Sequence, residues 1–472
     1  MRRFLLLARQ VGGRLYRLGP RRALLRRGLT GAVDSPRAAA EDIRWIRSRA
    51  GRDRALAEAA LLQLVRRESL TDQEAVALRE RAAGPTSGII GWRRGDMTTG
   101  LADGRAGLAA LAHHRRPAVA WLHWPVDTHN PYQQLIYCRF ADRGLVPIRL
   151  PDLALLDRLP GELPAGTPVV LHVHWLYWVT AGATSPAAAA DRVRQFADLI
   201  AGLKERQIRL VWTVHNLLPH ETDQPEAELE LRRVMMKAAD VVHLMTPDQE
   251  RLLGDAYGVA PNQVVVAPHP SYLGAYPDWI DRNGARAHLG IPDHLRVLAT
   301  VGQIRPYKGY REFLRALERV HRQDPDLRWL VAGRVRAEGG WQEFVSAVAR
   351  HPAVLCFPGF VPAVDVQYYL RAADAAVFPY VRSLNSGALA LAASFGLPAY
   401  VSRDTRVGGL LPEIGYRRFD LADPDQLAPV LRAGTSLETP EVRSAVRAHA
   451  EAIRPERVSG ELADALVQAL GL

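Results

Sequence analysis

From residue 117 onward, short apolar runs alternate with segments of helical periodicity. Near-continuous apolar runs are typical of parallel strands buried on both faces. In the first half of this region they predict strands at 119–123, 169–174, 210–215, 241–245 and 263–267. Helical periodicity predicts helices between them at 131–143, 186–206, 227–239 and 247–256. This order of elements predicts a doubly wound, Rossmann-like α/β domain.

The same alternation resumes after a linker that begins at His269. Strands are predicted at 297–301, 329–332, 354–357, 375–378 and 399–401, with helices at 311–322, 341–350, 364–373 and 388–395. A chain of 472 residues is too long for one compact core. We therefore predict an α/β fold of two Rossmann-like domains, 117–280 and 281–439, followed by closing helices at 440–472 that pack back on the first domain.

Residues 1–116 are predicted to form a basic, helical extension and a linker. The net charge of +11 is concentrated in the first thirty residues, which hold nine arginines and no acid, while the remainder is nearly balanced. A basic tail without a basic folded face excludes nucleic acid as the expected partner. Two interpretations of residues 1–30 stay open: an amphipathic helix on an anionic membrane surface, or an arginine-rich disordered leader.

Cysteine usage and hydropathy bear on the compartment. Cys138 and Cys356 are the two cysteines, and we expect both to be small core residues. Two cysteines exclude a disulfide framework, and no apolar run reaches the length of a membrane span. The expected location is the cytoplasm, at the inner face of the cell membrane if residues 1–30 bind lipid.

Two strand ends carry the clearest chemistry. The segment GQIRPYKG places Lys308 and Arg305 after one strand and before a helix. The turn formed by Asn385, Ser386 and Gly387 follows another strand and opens an Ala/Leu helix. Free N–H groups at helix N-termini, with a cation beside them, bind phosphate groups. We predict that these five residues hold a diphosphate, with Lys308 also acting in catalysis.

The ordered set of motifs resembles the donor domain of GT-B glycosyltransferases, especially family 4. The motifs are GQIRPYKG, VAGR at 331–334, FPGFVP at 357–362, AADAAVFPY at 372–380 and the G-x-P at 396–398. The segments HVHW and TVHNLLPHE in the first half are similar to those of bacterial exopolysaccharide glycosyltransferases. The resemblance implies the GT-B architecture, two Rossmann-like domains facing a cleft, and a nucleotide-diphosphate sugar as donor.

Three positions depart from the family 4 pattern. Gln303 stands where family members often have arginine, and Ser383 and Leu391 stand where they usually have two glutamates. The retaining chemistry associated with that carboxylate pair is therefore not implied. A variant with an Asn-Ser-Gly turn is similar to bacterial β-mannosyl-type transferases, which favours an inverting reaction.

An inverting transfer requires a general base on the facing domain. Asp127, His215 and Glu221 follow predicted strands there and form an unranked set of candidates, and His129 is a further residue able to meet an acceptor. His172 and His174 share one strand face, but a third metal ligand at suitable spacing is absent from the sequence pattern. We therefore expect no metal and no other cofactor.

The resulting functional hypothesis is transfer of a hexosyl unit from a GDP- or UDP-linked sugar to a lipid-linked or polysaccharide acceptor, without a metal ion. The alternative is a non-catalytic GT-B subunit that binds a glycan or a partner enzyme. A nucleotide-sugar epimerase on the same scaffold would need a carboxylate set that the sequence does not show.

Overall fold

The computed structural model describes Leu108 and residues 118–127, 130–219, 222–335, 348–381 and 383–472. Apart from Leu108, the predicted N-terminal extension and linker lie outside these residues, as do His129 and Glu221. The chain forms two compact units. In the described part, the larger unit comprises residues up to Leu273, Leu295–Val361 and Ala373–Leu472, and the smaller one Gly274–His294 and Pro362–Ala372.

The larger unit contains two six-stranded sheets in which all neighbouring strands are parallel. The first has the order β2-β1-β3-β4-β5-β6 and the second the order β12-β11-β10-β7-β8-β9. The strands of the first are β1 (Val119–Trp124), β2 (Leu145–Arg149), β3 (Val169–Val173), β4 (Arg209–Thr213), β5 (Val241–Leu244) and β6 (Val264–Val266). Those of the second are β7 (Arg296–Val301), β8 (Leu327–Gly333), β9 (Val354–Pro358), β10 (Ala375–Phe378), β11 (Ala399–Ser402) and β12 (Tyr416–Phe419).

Helices connect the strands and cover the sheets. In chain order they are α1 (Tyr132–Tyr137), α2 (Leu159–Glu162), α3 (Tyr177–Thr180), α4 (Pro186–Glu205), α5 (Pro225–Ala238), α6 (Gln249–Tyr257), α7 (Arg282–Leu289), α8 (Tyr310–His321), α9 (Val366–Ala372), α10 (Gly387–Ser394), α11 (Pro424–Ala433), α12 (Pro440–Ala452) and α13 (Pro455–Leu470). Single turns of 3-10 helix occur at Phe140–Arg143, Leu153–Arg158, Pro306–Lys308, Glu413–Gly415 and Gly434–Leu437. Among the described residues, no helix is both long enough and apolar enough to span a bilayer.

The first sheet is buried on both faces. Successive residues of a strand point to opposite sides of the sheet, and both sets include buried apolar residues. Ala120 and Leu122 of β1 belong to one apolar cluster, whereas Val119 and Trp121 belong to another on the opposite face. Apolar residues of α13 complete this second cluster, where helix α13 packs against helix α1. The predicted α/β class with two doubly wound domains is confirmed.

The smaller unit contains α7 and α9 in its described residues. The buried Arg286 of α7 donates from Nε to the carbonyl of Ala372, over 3.0 Å. Asp278 forms an ion pair with Arg371, and the rings of His288 and Tyr368 stack with centroids 3.8 Å apart. Helix α7 was not predicted, since its sequence directly continues the polar linker.

The other differences from prediction have separate causes. The unpredicted strands β2 and β12 lie at sheet edges, as β6 and β9 do, but Pro147 interrupts β2, and Arg417 and Arg418 lie within β12, so neither has a continuous apolar run. The predicted helix at 131–143 breaks at Cys138 and resumes as a 3-10 turn. The expectation that Cys138 lies in the core was wrong, because this residue is exposed, and Cys356 is partly exposed.

Candidate functional site

The carboxyl ends of the two sheets meet around Asn385, at the end of the loop after β10. Its side-chain amide donates to the carbonyls of Val214 and His215, which follow β4, at 3.2 and 3.0 Å. Its side-chain oxygen accepts from Gln249 Nε2 at 2.8 Å. The Asn385 side chain thus links the turn before α10 to the first sheet. It makes three hydrogen bonds within the protein, two as donor and one as acceptor.

A close approach of backbones shapes the loop that follows β7. An ideal Cβ on Gly333 would lie 1.6 Å from the carbonyl oxygen of Gly302, so the ends of β7 and β8 pack without intervening side chains. Gly309 precedes α8 with φ of 64°, and a Cβ there would lie 1.9 Å from the carbonyl oxygen of Pro379. Packing therefore requires glycine at 309 and 333, whatever ligand the loop binds.

Replacing Gly309 with alanine should destabilise the fold more than the backbone conformation alone explains. Gly258 is a matched control, because its φ is 66° and nothing lies within 4 Å of an added Cβ. Both substitutions carry a left-handed strain of about 1–2 kcal/mol, and Gly309→Ala adds overpacking of about 1–3 kcal/mol. Urea unfolding of both variants measures the difference, and equal losses of stability would contradict the close approach.

Lys308 is buried beneath this loop, with 6% of its surface exposed. Its ammonium lies 5.6 Å from the centre of the Tyr380 ring and 3.7 Å from the position of a Cβ on Gly302. Within the described part of the chain, no hydrogen-bond acceptor or carboxylate partners the ammonium. Burial, and secondly the charge of Arg305, lower the pKa of Lys308 to about 7.

Tyr380 connects Lys308 to the N-terminus of α10. Its ring lies beside the Lys308 ammonium, and Ser386 lies near its hydroxyl, where it opposes the rise in the pKa of Tyr380 that burial causes. Ser386 caps α10, since its hydroxyl accepts from the N–H of Leu389 at 3.1 Å. In the described structure, the first two N–H groups of α10, those of Gly387 and Ala388, have no bonding partner.

Gly387 has a structural role in addition to the predicted one. A Cβ at this position would lie 2.8 Å from the Tyr272 hydroxyl and 3.6 Å from His269 Nε2. The Tyr272 hydroxyl also donates to Asn130 in the loop after β1, at 3.1 Å. The segment between the sheets therefore packs directly against the turn that sequence analysis assigned to the diphosphate.

Arg305 and Asp127 lie on facing strand ends. Arg305 donates from Nε to Gln303 Oε1 at 2.7 Å, so the residue that replaces the family's arginine orients the second cation. The charges of both Arg305 and Asp127 act on Tyr177 of α3, whose pKa is raised first by burial and then by Asp127. Arg305, Asp127 and Tyr177 are thus electrostatic neighbours where the two sheets meet.

His215 lies directly after β4 and is partly exposed. Its ring stacks on that of Trp175, with centroids 4.5 Å apart, and its Nε2 lies 3.1 Å from His174 Nδ1. Burial lowers its pKa well below 6.5, so it is neutral at physiological pH. A neutral, partly exposed imidazole at a strand end has the form that a general base requires.

His172 and His174 belong to a hydrogen-bonded core rather than to a metal site. Their rings stack 4.4 Å apart, and the Tyr137 hydroxyl lies 2.9 Å from His172 Nδ1 and 2.6 Å from His174 Nε2. In the described residues, no group of three or more His, Cys, Asp or Glu side chains is arranged to hold a metal ion.

The two positions that lack the family's glutamates are occupied in different ways. Ser383 is buried and donates to the carbonyl of Asn385 at 3.1 Å, so it stabilises the turn before α10. Leu391 is a partly buried residue of α10. Neither side chain carries a charge.

Sequence analysis did not assign Tyr137, Thr213, Gln249 and Tyr272 to the site. The signal that points to Thr213 is a polar residue inside an otherwise apolar strand, where an unpaired polar group is costly. Tyr137 ends helix α1, and its contacts with His172 and His174 leave no trace in the local pattern. Gln249 and Tyr272 act through contacts between segments more than a hundred residues apart, for which the local pattern carries no signal.

Residues 296–431 match the family described as "Glycosyl transferases group 1". The chain is 30% identical over 230 residues to D-inositol 3-phosphate glycosyltransferase of Corynebacterium aurimucosum, covering 46% of this chain and 53% of that protein. It is 29% identical over 319 residues to the enzyme of the same name from Nocardioides sp., covering 61% and 65%. The chain thus spans less than two thirds of the length of these curated relatives.

Solved structures with the same architecture are more distant in sequence. Sucrose-phosphate synthase of Thermosynechococcus elongatus superposes with a TM-score of 0.54 at 15% identity, covering 75% of this chain and all of that one. Anabaena HepE in complex with UDP gives a TM-score of 0.51 at 14% identity, covering 74% and 100%. The resemblance to GT-B glycosyltransferases, and to family 4 among them, is confirmed.

Proposed function

We propose that this protein is a glycosyltransferase that moves a hexosyl unit from a nucleotide-diphosphate sugar to a lipid-linked or polysaccharide acceptor, with inversion and without a metal ion. The observation that carries the proposal is Lys308, buried at the end of β7 without a protein partner. A buried cation without a counter-ion is costly, which is typical of a group that pairs with a ligand. The family match of residues 296–431 and the UDP bound to Anabaena HepE support the donor class.

The diphosphate would lie between Lys308 and the N-terminus of α10, the two groups that Tyr380 connects. Lys308 supplies charge, and the N–H groups of Gly387 and Ala388 supply unpaired donors at the positive end of a helix. Arg305 adds a second cation at the exposed edge. Asn385 acts by holding the turn in place, because its side chain is already bonded within the protein.

Transfer would proceed by a single displacement. The acceptor hydroxyl attacks the anomeric carbon, its proton passes to a base, and the bond from that carbon to the β-phosphate oxygen breaks. Negative charge grows on the leaving diphosphate, where Lys308 stabilises it more strongly than in the ground state. His215 and Asp127 remain the base candidates in the described residues, and Glu221 remains a candidate by its sequence position alone.

The acceptor side offers an exposed aromatic surface. Tyr177 and Trp178 of α3 are 43% and 50% exposed, and their ring centroids lie 5.9 Å apart. Exposed aromatic rings at a strand end favour a ligand with apolar faces and polar edges, such as a pyranose ring. This arrangement supports a saccharide portion in the acceptor.

A panel of nucleotide sugars tests the proposal. The protein is incubated with each of UDP-, GDP- and TDP-linked hexoses and an acceptor extract, and release of nucleoside diphosphate is measured. A thermal shift with UDP, GDP and TDP selects the base beforehand. Release from one donor class, dependent on acceptor, is expected, whereas binding of no nucleotide would overturn the proposal.

Ser383 and Leu391 favour a second candidate function. Without the carboxylate pair, the protein could serve as a non-catalytic subunit that binds a glycan or a partner enzyme. Nucleotide binding without release of diphosphate under any donor and acceptor combination would select this alternative.

Removal of metal ions should leave transfer unaffected. Lys308, Arg305 and the helix N-terminus supply the positive charge that a divalent ion would otherwise provide to the diphosphate. Initial rates are measured before and after treatment with EDTA, with manganese and magnesium added back separately. Inhibition that either ion reverses would contradict the assignment.

Nucleoside diphosphate binding should weaken above neutral pH. The pKa of Lys308 in the free protein is about 7, and a bound diphosphate raises it, so binding takes up a proton above that pH. Affinity is therefore full below about pH 7 and falls by up to tenfold per pH unit above it, until the pKa of the complex is reached.

Calorimetry of UDP and GDP binding in buffers of different ionisation enthalpy measures this proton uptake directly. Lys308→Arg is the matched control, because a guanidinium stays charged across this range. The variant should bind with little proton uptake. Affinity independent of pH from about 7 to 9 in the wild-type protein would show that Lys308 does not face the diphosphate.

A further inference from the structure

A continuous chain of hydrogen-bonded side chains crosses one face of the first sheet. It begins at the carbonyl of Ala267, after β6, and ends at His215, where the two sheets meet. Its successive contacts are His243 Nε2 to Ala267 O at 3.0 Å, Thr213 Oγ1 to His243 Nδ1 at 2.9 Å, His172 Nε2 to Thr213 Oγ1 at 2.7 Å, Tyr137 Oη to His172 Nδ1 at 2.9 Å, Tyr137 Oη to His174 Nε2 at 2.6 Å, and His174 Nδ1 to His215 Nε2 at 3.1 Å.

The first half of this hydrogen-bond chain has one consistent placement of protons. A carbonyl oxygen only accepts, so His243 carries its proton on Nε2 and leaves Nδ1 as an acceptor. Thr213 must then donate to His243 and accept from Nε2–H of His172. His172 is therefore unprotonated on Nδ1, which agrees with the indole N–H of Trp121 pointing at that nitrogen from 3.3 Å.

Tyr137 extends this fixed direction of proton donation to the second half of the hydrogen-bond chain. His172 Nδ1 has no proton, so the 2.9 Å contact with Tyr137 requires the hydroxyl to donate to it. The hydroxyl oxygen then accepts from Nε2–H of His174, over 2.6 Å. The opposite orientation would bring two lone pairs together in a buried place, where an unmade hydrogen bond is costly.

His174 in turn fixes the tautomer of His215. With its proton on Nε2, neutral His174 has a lone pair on Nδ1, and the 3.1 Å contact is a hydrogen bond only if His215 carries its proton on Nε2. The Nδ1 atom of His215 is left unprotonated. In the described structure no residue bonds this atom, and His215 lines a cavity with Tyr177 and Arg232.

We propose that Tyr137, His172, Thr213 and His243 are positioning residues that hold His215 in the tautomer whose Nδ1 accepts the proton of the acceptor hydroxyl. This inference rests on the proposed function and deepens it by selecting His215 from the base candidates. When Nδ1 takes up the proton, the Nε2–H to His174 bond becomes charge-assisted, and the aligned donors behind it polarise together.

The tautomer is measured without substrate by two-dimensional NMR of protein labelled with 15N in histidine. His215→Gln identifies the resonances of His215 by their loss. The expected result is an unprotonated Nδ1 and a protonated Nε2 at pH 7.5. A proton on Nδ1 of His215 in the wild-type protein would overturn the inference, whatever the activity.

Tyr137→Phe breaks the chain while keeping the ring, and Thr213→Val breaks it while keeping the side-chain shape. Each should reduce kcat by roughly ten- to a hundredfold with little change in KM, by analogy with the loss of partners that orient metal-bound histidines. Each should also convert the His215 signals to a mixture of tautomers. Thr213→Ser, which keeps the hydroxyl, should restore both.

Tyr257→Phe is the matched control, because its buried hydroxyl donates to the carbonyl of Leu217 at 2.6 Å and is not part of the chain. It should keep the tautomer and stay within about threefold of wild-type kcat, while losing a similar amount of stability. Unchanged tautomer and kcat in both Tyr137→Phe and Thr213→Val would overturn the inference. An inactive wild-type protein with the expected tautomer would instead overturn the proposed function and support the hydrogen-bond assignment.

Discussion

Lys308→Ala should lower kcat by roughly a hundred- to a thousandfold, equivalent to about 3–4 kcal/mol of transition-state stabilisation. The ammonium is buried, unpaired in the described structure, and placed beside the N-terminus of α10 through Tyr380. Charge on the diphosphate grows as the sugar leaves, so the cation contributes most at that point. Arg305 and the helix N–H groups still hold the ground-state diphosphate, and donor KM should change much less.

The variant should remain folded, because removing a buried charge that has no protein partner takes away a desolvation cost. Circular dichroism and thermal unfolding check this. Lys204→Ala is a matched control: Lys204 is 2.8 Å from Asp240 in an exposed ion pair, and its loss should leave kcat within about threefold. Arginine at 308 should rescue only in part, since its planar fork differs from a compact ammonium. Activity of Lys308→Ala within about threefold of wild type would place the phosphate site elsewhere.

Acid should unfold this protein cooperatively, with the loss of stability beginning above the pH at which carboxylates titrate. Burial lowers the pKa of His123 to about 3 and those of His243 and His269 to about 4, each from 6.5. The pKa values of His172, His174 and His215 are also lowered, first by burial. These side chains stay neutral in the fold but take up protons when the chain unfolds.

The loss of stability in acid follows from this difference in bound protons between the folded and unfolded states. A group whose pKa is lower in the folded state contributes its full stability above the unfolded pKa, here 6.5, and loses it as the pH falls toward the folded pKa. Each histidine removes about 1.4 kcal/mol per pH unit across that window. Three of them remove about 4 kcal/mol per unit, enough to exhaust a typical stability of about 5–15 kcal/mol between roughly pH 6 and pH 4.

Urea unfolding at pH 7 and pH 5 tests this expectation. The midpoint should fall steeply with acid. Direct measurement of proton uptake during unfolding at pH 5 should give about three protons from His123, His243 and His269, and up to six when His172, His174 and His215 are included. His123 is not part of the hydrogen-bond chain, and His123→Gln should reduce the proton uptake on unfolding by about one proton. A midpoint that does not change between the two pH values would mean that these histidines are already protonated in the fold.

The sequence by itself determined the architecture of the described region. Ten of the twelve strands follow from apolar runs, because burial of a parallel sheet on both faces requires nearly every residue of its central strands to be apolar. Helical periodicity between the runs then dictates the doubly wound arrangement. Strands β2 and β12 were not predicted, because Pro147 interrupts the first and two arginines lie within the second, whereas the other edge strands, β6 and β9, keep apolar runs.

The sequence also predicts where the chemistry lies, because GQIRPYKG and the Asn-Ser-Gly turn are local motifs at strand ends. Only the tertiary structure shows which of their side chains are bonded or packed within the protein and which are left without a partner. Lys308 is left without a protein partner, whereas the Asn385 side chain is used to join the sheets and Gly387 is packed against Tyr272. His215 is linked through His174 and Tyr137 to His172 on β3, Thr213 on β4 and His243 on β5. Such assignments depend on distances between segments remote in sequence, and the local pattern of apolar and polar residues contains no record of them.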